Sequence, residues 1–424
     1  MDQVPPLLNV QPPPLLPSEP LSKPPGRGLC VVLSLCLGLF VVDGVVSFLD
    51  DGLILFLNFH GFSVPRGLMS LATMLMAVVL YGMIGATPRV PKRLFLPIPM
   101  FFLVSMLAMF SFAIFWYHRA GQISFAMSGG ELLLGVFLIK ATGQRIPLRQ
   151  GFGGTGAGGP RVAWPLVTTE QLGARGFSWK HLFAFVMANV FVLLPLVIGY
   201  LFFSSARAVS HYSDGFVALH PAGLAVQVRK YVRDDGKTIE LFPMAHVADA
   251  AFYSQVSQAF PTNSMILMEG VSDSENLLTN KITYKRMAKS LGLVEQKATF
   301  APSRGEMVRA DVDVGQFSKH TIDFLNLVML FHARGLSPEN ISKLMNFTPP
   351  PGFEEELFDD LLTKRNEHLL GEIQSHLPET DNIMVPWGAA HMPGLARGIE
   401  KNGFHLSETR EFVVIRFGRG AGKR

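Results

Sequence analysis

Long runs of apolar residues dominate the chain up to about residue 204. Five runs are long enough to cross a bilayer, which takes roughly 20 helical residues. They cover residues 29–49, 67–86, 94–117, 123–140 and 181–204. The pattern therefore predicts a membrane region over 29–206 with about five transmembrane helices, of which the fourth is interrupted by the glycines of MSGGELLLG.

The segments around these runs are rich in proline or glycine. Residues 1–28, with nine prolines in the first 25, are predicted to be a disordered cytoplasmic tail. The loop 141–180 contains GFGGTGAGG, which looks superficially like a phosphate-binding loop. Because a preceding strand and a following Lys-Ser/Thr are missing, a flexible cytoplasmic linker is the favoured interpretation.

Basic residues in the loops predict the topology. With the N-terminus in the cytoplasm, eleven Lys and Arg lie in inside segments, and only Arg66 and Arg119 lie in outside loops. Five spans then place everything after Ala206 outside the cytoplasm. An even number of spans would reverse that assignment.

Two acidic residues, Asp43 and Glu131, fall inside the predicted spans. Acids are expensive to bury in a bilayer and can indicate a proton relay or transport. The simpler interpretation, which we favour, is that both face other helices or lie near a headgroup boundary. The five spans show neither the repeats nor the paired broken helices typical of transporters.

After residue 206 the pattern becomes that of a soluble α/β domain, 207–424. LAVQVRKYV, the turn RDDG and KTIELFP predict a β-hairpin, and Asp249 is placed to cap the helix that follows. SMILM then predicts a buried strand that forms a parallel pair with the last hairpin strand through a right-handed crossover. A helix over 353–377, a strand NIMVPW, a helix from Met392 and a strand EFVVIRF complete a mainly parallel sheet.

Three polar residues follow the ends of different predicted strands: His246, Glu269 and His391. Ligands of open α/β sheets bind beyond the carboxyl ends of the parallel strands, so these side chains are expected to converge. Two neutral imidazoles and a carboxylate suit a divalent ion such as Mn, Co or Zn. The alternative for each histidine is helix capping or a hydrogen bond to a buried carbonyl.

Arg365 falls on the apolar stripe of the helix 353–377, which contains Phe358, Leu362, Leu369 and Ile373. A guanidinium facing the core needs an anionic partner, either Glu269 or a bound anion. Its head could equally reach water from the edge of the stripe. In the segment 307–314, Arg309, Asp311 and Asp313 share one strand face, and a solvated edge is slightly favoured over a role of the two acids as metal ligand or general base.

Charge and cysteine content exclude other functions. Residues 1–206 contain 13 Lys and Arg against seven Asp and Glu, and residues 207–424 contain 24 against 26. The basic excess therefore belongs to the membrane region, and no nucleic-acid-binding surface is expected. Both cysteines, Cys30 and Cys36, lie in the first apolar run, so the soluble half can form neither a disulfide nor a thiolate zinc site.

These motifs together resemble the TraB/PrgY, GumN and TIKI group of extracytoplasmic proteins over roughly residues 220–418. Gly388-Ala389-Ala390-His391 matches the second of the group's two G-x-x-H motifs, and PMAHVAD is similar to the first, with Pro243 in the place of its glycine. Glu269 and Arg365-Asn366 match the glutamate and the Arg-Asn pair.

The resemblance implies a metal-dependent hydrolase, a peptidase acting on an extracytoplasmic peptide, and the predicted spans, which the resemblance does not cover, would anchor it to the membrane. His246, His391 and Glu269 would hold the metal, with Glu269 as ligand or general base. Arg365 would stabilise the oxyanion or hold Glu269 in place. The alternatives are a non-catalytic protein that binds or sequesters a peptide, and a transporter with a soluble accessory domain.

Overall fold

The structure is a computed structural model that describes residues 26–143, 164–279, 284–335 and 337–418. Nearly all of the predicted Pro-rich tail and all of the Gly-rich segment 151–159 lie outside these residues. The chain divides into two compact units, Met1–Leu201 and Phe202–Arg424.

The first unit is helical. Its helices, the last of which extends beyond Leu201, are α1 (Arg27–Leu57), α2 (Ser63–Ala86), α3 (Lys92–Phe95), α4 (Pro97–Phe115), α5 (Ala120–Ala141), α6 (Trp179–Ala188) and α7 (Leu194–Tyr212). Five stretches are long and apolar enough to cross a membrane, judged by length and composition, and each contains most of one predicted span. The fourth runs through Gly129 and Gly130 without a break, because α5 continues across them.

Close packing joins α1 to α5. A Cβ atom on Gly44 would lie 3.0 Å from the backbone nitrogen of Leu132, and one on Gly135 would lie 2.9 Å from the Val41 side chain. Small residues of this kind allow two apolar helices to approach closely, which places the polar residues beside Gly44 and Leu132, Asp43 and Glu131, near each other.

The second unit is α/β. Its strands are β1 (Val217–His220), β2 (Gly223–Val232), β3 (Thr238–Met244), β4 (Val247–Ala248), β5 (Met265–Met268), β6 (Val294–Glu295), β7 (Glu306–Arg309), β8 (Asn382–Gly388) and β9 (His405–Arg416). Its remaining helices are α8 (Ala250–Ala259), α9 (Lys285–Ser290), α10 (Gln296–Thr299), α11 (Lys319–Arg334), α12 (Pro338–Asn346), α13 (Phe353–Phe358), α14 (Lys364–His376) and α15 (Met392–Lys401).

Seven strands form one mixed sheet with a parallel centre, as the sequence predicted for the fold class. The parallel strands lie in the order β3-β8-β5-β7. The predicted hairpin β2–β3 adds an antiparallel side, where β9 pairs along β2 from Gly223 to Val232. β4 and β6 form a separate two-stranded sheet.

The expected direct pairing of β3 with β5 was wrong. The two strands are parallel, but β8 lies between them and pairs with both. β3 has seven buried residues, and β8 has five consecutive ones. Such strands have apolar side chains on both faces and need neighbours on both edges, and a later strand supplies the missing edge here.

Helices cover both faces of the parallel centre. On one face α8 packs through Phe252 and Val256, and Phe260, directly after the helix, joins the same cluster. On the other, α14 and α15 pack through Leu369, Ile373 and Leu395. Asp249 precedes α8 as expected, although its side chain accepts a hydrogen bond from the backbone nitrogen of Arg416 instead of capping the helix.

The centre of the sheet opens at its carboxyl edge. β8 pairs with β5 only at Ile383 and Met384, although it continues to Gly388 beside β3. Pro386 lies beyond the residues that pair with β5, so its missing N–H breaks no ladder bond on that side. The chains of β5 and β8 therefore separate past Met384, and polar side chains can enter the space between them.

Candidate functional site

All four parallel strands are followed by a polar residue at the same edge of the sheet. In the spatial order of the strands these residues are His246 after β3, His391 after β8, Glu269 after β5 and Asp311 after β7. Parallel strands share one carboxyl edge, so this placement follows from the topology. Three of them, His391, Glu269 and Asp311, meet around one guanidinium.

That guanidinium belongs to Arg365, in the first turn of α14. Nε and Nη2 donate to the two carboxylate oxygens of Asp311 at 3.0 and 2.7 Å, and Nη2 also donates to Glu269 Oε1 at 3.0 Å. Nη1 donates to the Leu361 carbonyl at 3.4 Å and to His391 Nε2 at 3.2 Å. Since a guanidinium has five N–H donors, these contacts use all of them.

The Arg365 side chain is 12% exposed, so its head does not lie in water. Burial opposes its charge, but Asp311 and Glu269 raise the pKa of the guanidinium. The expected partner Glu269 is present, and the fully buried Asp311 side chain is a second one. The favoured interpretation of Asp311 as part of a solvated edge was therefore wrong, because it also accepts from the backbone nitrogens of Gly270 and Val312.

Glu269 is held from two sides. Its Oε2 accepts from the Gly388 backbone nitrogen at 2.6 Å, across the space between β5 and β8. Its Oε1 accepts a hydrogen bond from Arg365 Nη2 and lies 3.6 Å from His391 Nε2. With 15% of its side chain exposed, Glu269 is the most accessible of the three groups around Arg365.

The hydrogen bonds of His391 fix its tautomer. Nδ1 lies 2.7 Å from Asn366 Oδ1, which can only accept, so Nδ1 carries the hydrogen. Nε2 faces the Arg365 donor and therefore accepts. Burial and the charge of Arg365 lower the pKa of His391 to about 4, although Glu269 and Asp311 act in the opposite direction. The imidazole is neutral at physiological pH.

His246 lies apart from this network. Its ring is exposed and stacks on Tyr284, with centroids 5.0 Å apart and planes 8° from parallel. Burial and the negative charges of Glu295 and Glu269 raise the pKa of Tyr284, so the stacked pair lies within electrostatic range of Glu269. Within the described residues, His246 contacts Tyr284 and Gln296, not the other predicted metal ligands.

The arrangement does not fit the divalent metal that the sequence predicted. Among the described residues, no group of three or more His, Cys, Asp or Glu is placed to hold a metal ion. The lone pair of His391 Nε2, which a metal would need, already accepts from Arg365. A metal ion between His391 and Glu269 would also be repelled by the positive charge of the Arg365 guanidinium. The guanidinium occupies the position between these side chains that a metal cation would take.

A groove of about 850 Å³ lies next to the network and reaches it through Asn366, the hydrogen-bond partner of His391, whereas the four network residues themselves do not line it. It runs between α14 and α15, and Asn366 and Ala390 line it beside His391. The exposed Phe358, together with Leu362 and Leu370, supplies apolar surface along its wall. A volume of this size is typical of ligand sites.

A residue of the predicted apolar stripe, Phe358, lines this groove instead of the core. Phe358 was expected to face the core, but it is 62% exposed. A π-helical turn over Asp359–Thr363 separates α13 from α14 and inserts extra backbone, which shifts the buried face between Phe358 and Leu369. Leu369 and Ile373 are buried as predicted.

Two residues beside the network, Asn366 and Tyr284, could not be identified from the hydrophobic and polar pattern. Asn366 entered only through the resemblance, although its neighbour Arg365 was placed on the stripe. No signal in the sequence pairs Tyr284 with His246. Comparison with known proteins adds no relative to this description: no family model matches the chain, and neither a curated protein nor a solved structure matches it.

Proposed function

We propose that the protein is a membrane-anchored hydrolase whose α/β unit cleaves an extracytoplasmic peptide. The observation that carries the proposal is the convergence of Glu269, Asp311 and His391 on Arg365 beside a groove. A buried ion cluster of this kind contributes little net stability compared with apolar packing. Its position at the carboxyl edge of parallel strands, where α/β sheets bind ligands, favours a functional role.

Glu269 is the general base in this proposal. It is the most accessible of the grouped carboxyl and imidazole side chains, and its Oε1 pairs with the Arg365 guanidinium at 3.0 Å. Arg365 has no N–H left for a developing oxyanion, so it positions Glu269 instead of stabilising the transition state. His391, neutral and held by Asn366, offers a hydrogen-bond acceptor at Nε2 that becomes available if Arg365 shifts on ligand binding.

The groove supplies the place for a peptide. Its apolar wall and its length along α14 suit an extended chain of a few residues, and Asn366 and Ala390 bring that chain next to His391. Peptide recognition also agrees with the resemblance to the TraB/PrgY, GumN and TIKI group.

A non-catalytic peptide-binding protein is the second candidate. The specific observation in its favour is the saturated hydrogen bonding of Arg365, which describes a closed network without a free donor. In that case the network fixes the groove wall, and Glu269 performs no chemistry.

Turnover of a peptide library by the full chain in lipid nanodiscs separates the two candidates. A hydrolase loses cleavage but keeps peptide binding when Glu269 is replaced by Gln, whereas Glu379→Gln, an exposed carboxylate near the end of α14, leaves both unchanged. Peptide binding without cleavage by the unaltered protein would support the binding protein. Failure of the unaltered chain to do either would contradict both.

The divalent metal is tested separately, by metal analysis of the same preparation with His246→Ala and His391→Ala variants. Loss of metal in both variants would support the predicted ligand pair. Metal retained by either variant would contradict it, because the remaining imidazole and Glu269 hold an ion weakly.

We further propose that the N-terminus is cytoplasmic and the α/β unit extracytoplasmic. The five candidate spans and the positive charge of the inside loops support that topology. The peptide would then come from outside the cell or from an extracytoplasmic compartment.

A further inference from the structure

The helices of the first unit bury a series of charged and hydroxyl side chains. Asp43, Asp50 and Asp51 lie on α1, Arg66 and Ser70 on α2, and Ser124 and Glu131 on α5, and all four acids are buried. Ionised groups at such positions in a membrane are expensive, and they are found where a protein handles ions or protons. The function proposed for the α/β unit makes no use of them.

One end of the series is an ion cluster around Arg66. The guanidinium pairs with both oxygens of Asp51 and donates to Asp50 at 3.4 Å. Ser124 accepts from Arg66 and donates to Asp51. Arg66 thus has two carboxylates to neutralise, and Asp50 Oδ1 has no hydrogen-bond partner among the described residues.

The other end lies midway along the helices. Asp43 is at the centre of α1, and Glu131 is at the centre of α5. Asp43 Oδ1 accepts from Ser70 at 2.8 Å and from Ser47 at 3.4 Å. Glu131 lies within side-chain hydrogen-bonding reach of Asp43, because Gly44 brings α1 against the backbone of α5.

Glu131 has an incomplete set of partners. Its side chain is 6% exposed, and Oε1 has no hydrogen-bond partner in the described part of the chain. Two carboxylates can hydrogen-bond to each other only when one of them is protonated. Side by side in an apolar medium, two such groups do not both ionise unless a cation compensates them.

Within the described ranges, the helices packed around Asp43 and Glu131 supply no free cation to neutralise two ionised carboxylates. Asp50 and Asp51 on α1 add negative charge. Arg66 on α2 attracts Glu131 but is already paired with those two acids. The sequence of α4 contains no charged residue, and Lys140 of α5 lies nine residues beyond Glu131. No described group here or elsewhere is arranged to hold a metal ion.

We propose that Asp43 and Glu131 form a proton-binding site that holds one shared proton at neutral pH. This inference rests on insertion of the five spans into a membrane and is independent of the chemistry proposed for the α/β unit. The ligand is a proton, donated by one carboxyl group and accepted by the other, with Ser70 and Ser47 donating to Asp43.

The polar side chains connect this site to one end of the helices only. Ser47 and Asp50 follow Asp43 at helical spacings of four and seven residues, so they share its face of α1 over about 10 Å toward Leu57. In the opposite direction the next buried residues of α1, Phe40 and Leu37, are apolar, and the buried Ser34 beyond them is held by the backbone of Cys30 and Val167. The proton therefore enters and leaves from the Leu57 end, which suits a pH-responsive site and not a route through the membrane.

Infrared spectroscopy of the full chain in nanodiscs tests the site. The carbonyl stretch of a protonated carboxyl group in an apolar environment is expected at pH 7. It is expected to disappear in Glu131→Gln, where Asp43 keeps its serine donors, and to shift in frequency in Asp43→Asn, where Glu131 loses the carboxylate that shares its proton. The control Glu170→Gln, a carboxylate in a loop turn outside the candidate spans, should keep the stretch unchanged. The absence of this signal in the unaltered protein, or its persistence in Glu131→Gln, would overturn the proposal.

Chemical labelling of the unaltered protein tests the same site if the substituted proteins fail to fold. Hydrophobic carbodiimides react with protonated carboxyl groups, and mass spectrometry locates the adduct. Modification of Glu131 or Asp43 at pH 7, lost as the pH is raised, is the expected result. An adduct confined to other carboxyl groups would contradict the proposal.

Discussion

Arg365 donates from Nε and Nη2 to both carboxylate oxygens of Asp311, at 3.0 and 2.7 Å. The two residues are 54 positions apart and come from a helix and from the segment after β7. This bidentate geometry is the strongest form of Arg–carboxylate pairing. Because the Asp311 side chain is fully buried, removing its partner would leave an uncompensated charge inside the protein.

Replacing Arg365 by Leu is expected to destabilise the α/β unit by about 3–5 kcal/mol, because Asp311 and Glu269 then remain buried without their counterion. Hydrogen exchange of β8 amides in the full chain measures the free energy of opening. The double change with Asp311→Asn should recover part of the loss, whereas additive effects would mean that the pair is not coupled. The matched control is Asp235→Asn, which removes an exposed ion pair with Arg233 and should leave the exchange of β8 unchanged.

Stability should fall as the pH drops from about 6.5 to about 4, the unfolded and folded pKa values of His391. The folded pKa is depressed, so the unfolded chain binds the proton first and protonation favours unfolding. The full titration corresponds to about 3 kcal/mol. The free energy of opening, measured by hydrogen exchange of β8 amides, should change more steeply between pH 6.5 and 5 in the unaltered protein than in His391→Gln. Equal pH slopes in the two proteins would contradict the assignment.

Gly394→Ala should disturb the site without touching a charged residue. A Cβ at position 394 would lie 2.5 Å from Asn366 Nδ2, so the Asn366 amide must shift, which disturbs its hydrogen bond to His391. A loss of about 1–3 kcal/mol is expected from overpacking, together with faster exchange at the start of α15. Gly371→Ala is the control, because that exposed helical position is open and alanine should stabilise it by up to about 1 kcal/mol.

The proposed topology predicts where reporters function. A reporter active only outside the cytoplasm should be active after Arg424 and silent when inserted within residues 151–160. The opposite pattern would indicate an even number of spans and a cytoplasmic α/β unit. A reporter in the segment 58–62, between α1 and α2, checks the first span independently and should also be active.

The sequence was sufficient for the features that depend on local pattern. Apolar length predicted the five candidate spans, and alternation predicted the hairpin β2–β3. The predicted strand ends at Met268 and Gly388 indicated that Glu269 and His391 lie close together, and the structure confirms it. Parallel strands share their carboxyl edge whatever their order, so this prediction did not depend on strand order.

Strand order and helix register could not be predicted in the same way. The position of β8 between β3 and β5 depends on pairing between distant segments, which leaves no local pattern. The π-helical turn at Asp359–Thr363 has no signature in the residues and reversed the expectation for Phe358. Asp311 resembled a surface acid because its alternation with Asp313 is the same whether the face meets water or a guanidinium.

The late arrival of β8 has a consequence for how the chain acquires this fold. β3 and β5 are complete by residue 268, but the strand that joins them begins at Asn382. Until more than 110 further residues have emerged during synthesis, two apolar strands lack the neighbour they share. Nascent or truncated chains that end before β8 therefore expose unpaired strand edges, which makes them candidates for chaperone binding and aggregation.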